Sequence, residues 1–136
     1  MQRQLSQPPQ LREMLSLDDL RALQRSVFDV YVDPALVSYA VSIAAATRRP
    51  SEHISYGASP RGPISVTQAA RALALIRGRD YVTVDDVRTL AKDAFRHRLV
   101  LSYQALAEGV TADTLLDEVL AEVPAPEVEL ARPPAA

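Results

Sequence analysis

The sequence predicts an all-α fold: a small helical bundle with at most one very short two-stranded element. Three observations carry this. Apolar residues make up 48% of the 136 residues, mostly as Ala, Leu and Val, while aromatics reach only 5% and there are four glycines. That composition suits closely packed helices rather than sheets. Apolar positions recur at spacings of three and four along several segments, which is the helical period. Ten prolines fall at segment edges and in both tails, so they act as boundaries. The length is that of a single domain.

Residues 1–16 are Gln- and Pro-rich without periodicity and read as a linker, leaving residues 17–123 as the helical domain. A first helix is expected after Ser16, an N-cap with Asp19 three residues on, close to a capping box. Leu20, Leu23 and Val27 mark its apolar face. The alternation in Asp29-Val30-Tyr31-Val32 suggests a brief extended segment. Asp33-Pro34 then opens a second helix, running to about Arg48, because proline is tolerated where no N–H is needed. Leu36, Val37, Ala40, Val41, Ile43 and Ala44 give it a wide apolar face, as expected for a central element; Tyr39 is expected at the edge of that face. Residues 50–58 read as a loop.

A third helix ends at Arg77 with Gly78 as C-cap; Val66, Ala69, Ala70, Leu73 and Ala74 form its stripe. Its start is ambiguous, because Pro63 disfavours helical geometry at Gly62. Thr83 caps a fourth helix, with Asp86 three residues on and Val87, Leu90, Ala91, Ala94 and Phe95 as core face. Leu99 to Tyr103 looks extended and is a candidate short strand. A fifth helix starts at Thr111, buries Leu115, Leu116, Val119, Leu120 and Val123, and stops at Pro124. The Pro/Ala/Glu segment 124–136 reads as a disordered tail.

Bulk chemistry removes several function classes. With no cysteine, neither a disulfide framework nor a thiolate metal site is available. The two histidines, His53 and His97, have no ligand spacing, so no metal site is expected, and no Ser-His-Asp set is credible. No run is apolar enough to span a bilayer and the first ten residues lack a signal-peptide core, so a cytoplasmic location is the default. Net charge is −2 but unevenly placed: ten Lys/Arg against five Asp/Glu from Arg48 to Arg98, then one Arg against seven acids from Val100 onward. The acidic end argues against a nucleic-acid binder. Arg77, Arg79, Arg96 and Arg98 read as solvated.

The stretch Gly57-Ala58-Ser59-Pro60-Arg61 stands out. Gly57 suits a turn at positive φ, Ser59 is a good N-cap, and Pro60 fits the first helical position. Arg61 would then lie in the first helical turn, where the dipole disfavours a cation. Two readings stay open on these residues alone: a capped helix start with a solvated arginine, or an anion site in which phosphate meets a guanidinium beside free backbone donors.

Four features occur in order: Ala46-Thr47-Arg48 at a helix end, the Gly57–Arg61 turn, Gly78-Arg79-Asp80-Tyr81-Val82-Thr83 leading into Asp85-Asp86-Val87, and His97-Arg98 at a helix end. Together they resemble the C-terminal lid domain of MoxR-type AAA+ ATPases, over about residues 17–124. The resemblance implies a helical lid folding over ATP held by a preceding α/β domain, with Arg61 as the sensor-2 phosphate contact and Gly57, Ala58, Ser59 and Pro60 as the nucleotide-proximal turn. It also implies a ring of protomers, with some of Arg77, Arg79, Arg96 and Arg98 as candidates for facing a neighbouring subunit, and ATP-driven work on protein clients, with von Willebrand factor A-domain proteins among the partners. The departure is Gly62-Pro63, where the family more often continues with helix formers, and this leaves the direction of Arg61 open. No G-x-x-x-x-G-K-[ST] loop and no strand ending in paired acids is present. ATP and magnesium are therefore expected only in a longer parent, with residues 1–16 as the linker from its core, and this chain alone is not expected to be catalytic. The competing readings are a stand-alone helical interaction module and a helix-turn-helix DNA binder.

Overall fold

The computed structural model describes residues 12–128. The expected linker up to residue 11, and the tail from 129 onward, lie outside the described residues. Six α-helices form the bundle: α1 (Leu17–Ser26), α2 (Pro34–Ala46), α3 (Arg61–Ile76), α4 (Val84–Phe95), α5 (Tyr103–Glu108) and α6 (Ala112–Glu122). Two strands, β1 (Ile54–Tyr56) and β2 (Val100–Leu101), pair antiparallel with an irregular register. The small helical bundle with one short two-stranded element is therefore what the chain forms. Among the described residues no helix is long and apolar enough to cross a membrane.

The helix starts are local and follow their caps. The Ser16 hydroxyl accepts from the Asp19 amide at 3.1 Å while the Asp19 carboxylate accepts from the Ser16 amide at 2.9 Å. Thr83 and Asp86 repeat this reciprocal pair at α4, Asp33 accepts from Ala35 N–H ahead of Pro34, and Thr111 caps α6. Each arrangement satisfies donors that the first helical turn leaves without partners. α3 ends as expected at its glycine: Gly78 has φ +72°, and Arg79 N–H reaches back to the Ala74 carbonyl at 2.9 Å, which is Schellman-type closure.

α3 is the central helix, packed chiefly against α4 and α2. Phe95, Leu36, Ile43, Leu116, Val66 and Val87 are the largest fully buried apolar side chains. Small residues on α3 (Ala70 and Ala74, both 0% exposed) let its neighbours approach closely. Tyr39 is buried rather than at an edge, and Arg88 donates to its hydroxyl while also reaching the Leu120 carbonyl, so one guanidinium ties α4 to α2 and α6.

Several expectations change in three dimensions. The extended segment expected from Asp29 begins later: Val27–Asp29 is a 3₁₀ turn, and Tyr31 then bridges Tyr81 through Tyr31 N–H to the Asp80 carbonyl and Val82 N–H to the Tyr31 carbonyl. α2 closes at Ala46, two residues early, because Arg48 and Arg49 bond back three residues in a tightened turn. α1 buries none of its residues. Val37 and Val41, placed on the core face of α2 by their spacing, are 42% and 51% exposed. α5, capped by the Ser102 hydroxyl and ended by Gly109 at φ +71°, is a sixth helix where five were expected. β1 occupies part of the expected 50–58 loop. Beyond α6, Val123 is buried and Val128 packs against the core, so the chain keeps a place on the bundle past Pro124.

Candidate functional site

The Gly57–Arg61 turn is held from behind by the end of α2. Thr47 is fully buried; its hydroxyl donates to the Ala44 carbonyl at 2.7 Å and accepts from Ala58 N–H at 2.9 Å. Arg48 Nε donates to the Ala58 carbonyl at 2.6 Å. Ala58, itself 0% exposed, thus has both backbone groups satisfied by one helix end. Removing the Thr47 hydroxyl would strand a buried N–H, a loss of about 1–3 kcal/mol.

Gly57 plays a different part from the one its sequence suggests. Its φ is not positive; Gly78 and Gly109 alone have that geometry among the described residues. The requirement is space, because a Cβ at Gly57 would lie 2.3 Å from the Thr47 carbonyl oxygen. The glycine lets two backbone segments touch.

Ser59 and Pro60 also differ from expectation. Pro60 already has helical dihedrals (φ −56°, ψ −16°) and flanks α3, with no side-chain cap. Ser59 contributes its carbonyl, which accepts from Gly62 N–H at 2.9 Å, and its side chain is not the N-cap. The ambiguity at Gly62-Pro63 resolves in favour of helix from Arg61 on. Pro63 is accommodated because the first turn needs no N–H from it, and Gly62 is buried against α4, where a Cβ would meet the Phe95 ring at 2.4 Å. With Pro60 and Pro63 lacking an N–H and Gly62 bonded to Ser59, the helix start offers little beyond the Arg61 amide. The free backbone donors expected there are mostly absent, which leaves the Arg61 side chain as the main donor at this helix start.

Arg61 is exposed and makes no hydrogen bond or ion pair among the described residues. Apart from Arg71, whose Nε is buried without a partner, the other arginines of α3, α4 and their flanking turns are committed. Arg77 and Arg79, read as solvated, grip Asp86: Arg79 with both terminal nitrogens at 2.7 and 2.8 Å, Arg77 at 2.9 Å. Asp86 is 0% exposed and also accepts from the Thr83 amide and hydroxyl. Burial alone would raise its carboxyl, but the hydrogen bonds from Arg79 and Thr83 and the charge of Arg79 outweigh it, holding the group below the usual carboxylate range. The capping motif was legible in the sequence; the two arginines converging on it were not, since Arg77 and Arg79 flank the Gly78 turn that folds them onto α4. Arg96 pairs with Asp113, and Arg98 donates to the Ala94 carbonyl and the Ser65 hydroxyl. His97 is exposed, while His53 lies 3.0 Å from Glu108. No cluster of three or more His, Asp or Glu that could hold a metal ion forms among the described residues.

Chemically, the site presents one uncommitted guanidinium on a rigid helix start. Its base is fixed by Phe95 behind Gly62 and by Thr47 behind Ala58.

A family model described as the AAA lid domain matches residues 38–119. The chain is 42% identical over 129 residues to Chaperone MoxR1 of Mycobacterium tuberculosis, covering 89% of this chain and 34% of that protein. It is 36% identical to Protein MoxR of Paracoccus denitrificans, covering 77% and 31%. The crystal structure of a Cytophaga hutchinsonii protein assigned as an ATPase superposes with a TM-score of 0.77 at 30% identity, covering 81% of this chain and 36% of that one. The chain spans about a third of the length of the relatives it matches.

Proposed function

Because this chain belongs to the AAA lid domain family, as the lid of a MoxR-type AAA+ ATPase, we propose that Arg61 is its sensor-2 residue, contacting the phosphates of a nucleotide bound by the parent's ATPase domain. The observation that carries this reading is the exposed, unpaired guanidinium on a helix start that two buried contacts hold rigid. A planar guanidinium donates two parallel hydrogen bonds to phosphate oxygens. Among the described residues nothing competes for Arg61, so such a contact requires no ion pair among them to break first. Gly57, Ala58, Ser59 and Pro60 form the nucleotide-proximal turn that sets its position. ATP, with the magnesium that neutralises its phosphates, belongs to the parent.

In this reading Arg61 registers whether the terminal phosphate is present, and the bundle turns that difference into a rotation of the lid against the ATPase domain. The parent works as a cytoplasmic ring in which lids meet neighbouring protomers, and it remodels protein clients, with von Willebrand factor A-domain proteins among its partners. The test is Arg61→Ala in the full-length parent. Loss of one charge-assisted contact, roughly 1.5–3 kcal/mol, should lower ATP turnover at least tenfold while helical circular dichroism stays at the wild-type level. Unchanged turnover would leave Arg61 as a solvated side chain.

A further inference from the structure

We propose that Arg48 is a positioning residue for Arg61: by holding the carbonyl of Ala58 it fixes the direction in which the turn presents the Arg61 guanidinium to a nucleotide. The proposal rests on the sensor reading above and adds a second arginine to it, one that acts through the backbone of the turn. Arg48 follows Thr47 at the end of α2, and its Nε donates to the Ala58 carbonyl at 2.6 Å. Its stem passes over Gly57, where an added Cβ would lie 2.8 Å from the Arg48 Cγ. Among the described residues the Ala58 carbonyl is the hydrogen-bond partner of the Arg48 side chain, and no carboxylate draws it elsewhere.

Two features make this bond decide where Arg61 points. The turn has few other anchors. Among the described residues, the hydrogen bonds that join residues 57–60 to α2 both run to Ala58, one from Arg48 and one through the Thr47 hydroxyl. The bond from Gly62 N–H to the Ser59 carbonyl is local, and α3 has no side-chain cap. Little freedom also remains once Ala58 is held. The peptide between Ala58 and Ser59 is planar, so holding its carbonyl oxygen holds its plane. Pro60 has φ −56°, set by its ring, and Arg61 already lies in the helix. The torsions of Ser59 are then the main freedom between the held peptide and the helix start.

The two residues that grip Ala58 differ in kind. Thr47 is fully buried, and its hydroxyl also serves the Ala44 carbonyl, so it belongs to the core. Arg48 is exposed, and its side chain can be exchanged with little disturbance to that core. Its contact with the turn uses only the Nε–H among the donors of the guanidinium. What the turn takes from residue 48 is a donor at that one position; the charge and the terminal nitrogens play no part in it.

Three substitutions separate a donor from a charge. Glutamine carries its amide nitrogen as many bonds from Cα as the Nε of arginine, without the charge. Lysine keeps the charge but moves the nitrogen one bond further out, and methionine keeps the length with no donor. The measurement is the ratio of ATP to ADP affinity in the full-length parent with hydrolysis blocked, alongside circular dichroism of each variant. Arg48→Met should lower the ratio about threefold to tenfold, and Arg48→Gln should restore most of it, more than Arg48→Lys does. In the Arg61→Ala background Arg48→Met should change nothing further, because the residue acts through Arg61. If Arg48→Met loses helical content, the comparison of Arg48→Gln with Arg48→Lys decides alone. A ratio kept by Arg48→Lys and lost by Arg48→Gln would make the charge the agent and overturn the proposal. Losses that add in the double variant would overturn it too, since Arg48 would then meet the phosphates itself. A ratio lowered by Arg61→Ala but untouched by Arg48→Met sinks this proposal alone, whereas a ratio untouched by Arg61→Ala sinks the sensor reading first.

Discussion

Gly62 follows the arginine on which the proposed function turns, and it has no room for a side chain. A methyl group there would sit 2.4 Å from the ring of Phe95, which is itself 0% exposed. Overpacking of this kind costs about 1–3 kcal/mol, against a helix-propensity gain of up to about 1 kcal/mol on replacing glycine by alanine. Gly62→Ala should therefore lower the melting temperature of the 136-residue chain by several degrees, and in the parent it should reduce ATP turnover by shifting the helix start that carries Arg61. An unchanged melting temperature would show that Phe95 yields freely. Arg61 stands out in the sequence as a cation at a helix start, but the reason for its glycine neighbours does not. Gly57 and Gly62 are glycines because of atoms 10 and 33 positions away along the chain, Thr47 and Phe95, and no local pattern reports such contacts.

Between α3 and α4 the joint is electrostatic. Asp86 caps its own helix and holds both Arg77 and Arg79, so the turn at Gly78 is clamped from each side. Its folded pKa is lowered, so its stabilising contribution is fully present above the unfolded value of about 3.9 and is lost as pH falls through the folded value. Asp86→Asn should cost about 3–5 kcal/mol at neutral pH, as expected when one partner of a buried pair is removed. The difference from wild type should shrink on acidification below about pH 4, as measured by urea denaturation across that range. A gap of the same size at neutral and acid pH would mean that the carboxylate charge contributes nothing. The helices whose starts were legible are those with their own caps: Ser16, Asp33, Thr83 and Thr111. β1 was missed because its pairing with β2 is distant in the chain. α5 was missed because it is six residues long and follows an apolar run that reads as a strand.

For the molecule as a whole, periodicity located the helices but could not say which apolar faces would be covered. Val37 and Val41 have the spacing of core residues, yet they line an open groove. Burial depends on what packs opposite, and nothing in the described chain packs there. The family was legible because four short motifs follow one another in order along the chain; in the fold Thr47 braces the turn before α3, Arg79 and Asp86 clamp the far end of that helix to α4, and Phe95, outside those motifs, backs its start. What this assembly displays outward is Arg61. The most direct measurement is the ratio of ATP to ADP affinity in the full-length parent, with and without Arg61→Ala, by equilibrium titration under conditions that block hydrolysis. A residue that reads the terminal phosphate should contribute a preference for ATP that the substitution lowers by roughly 10- to 100-fold. An ATP-to-ADP ratio unaltered by Arg61→Ala would contradict it.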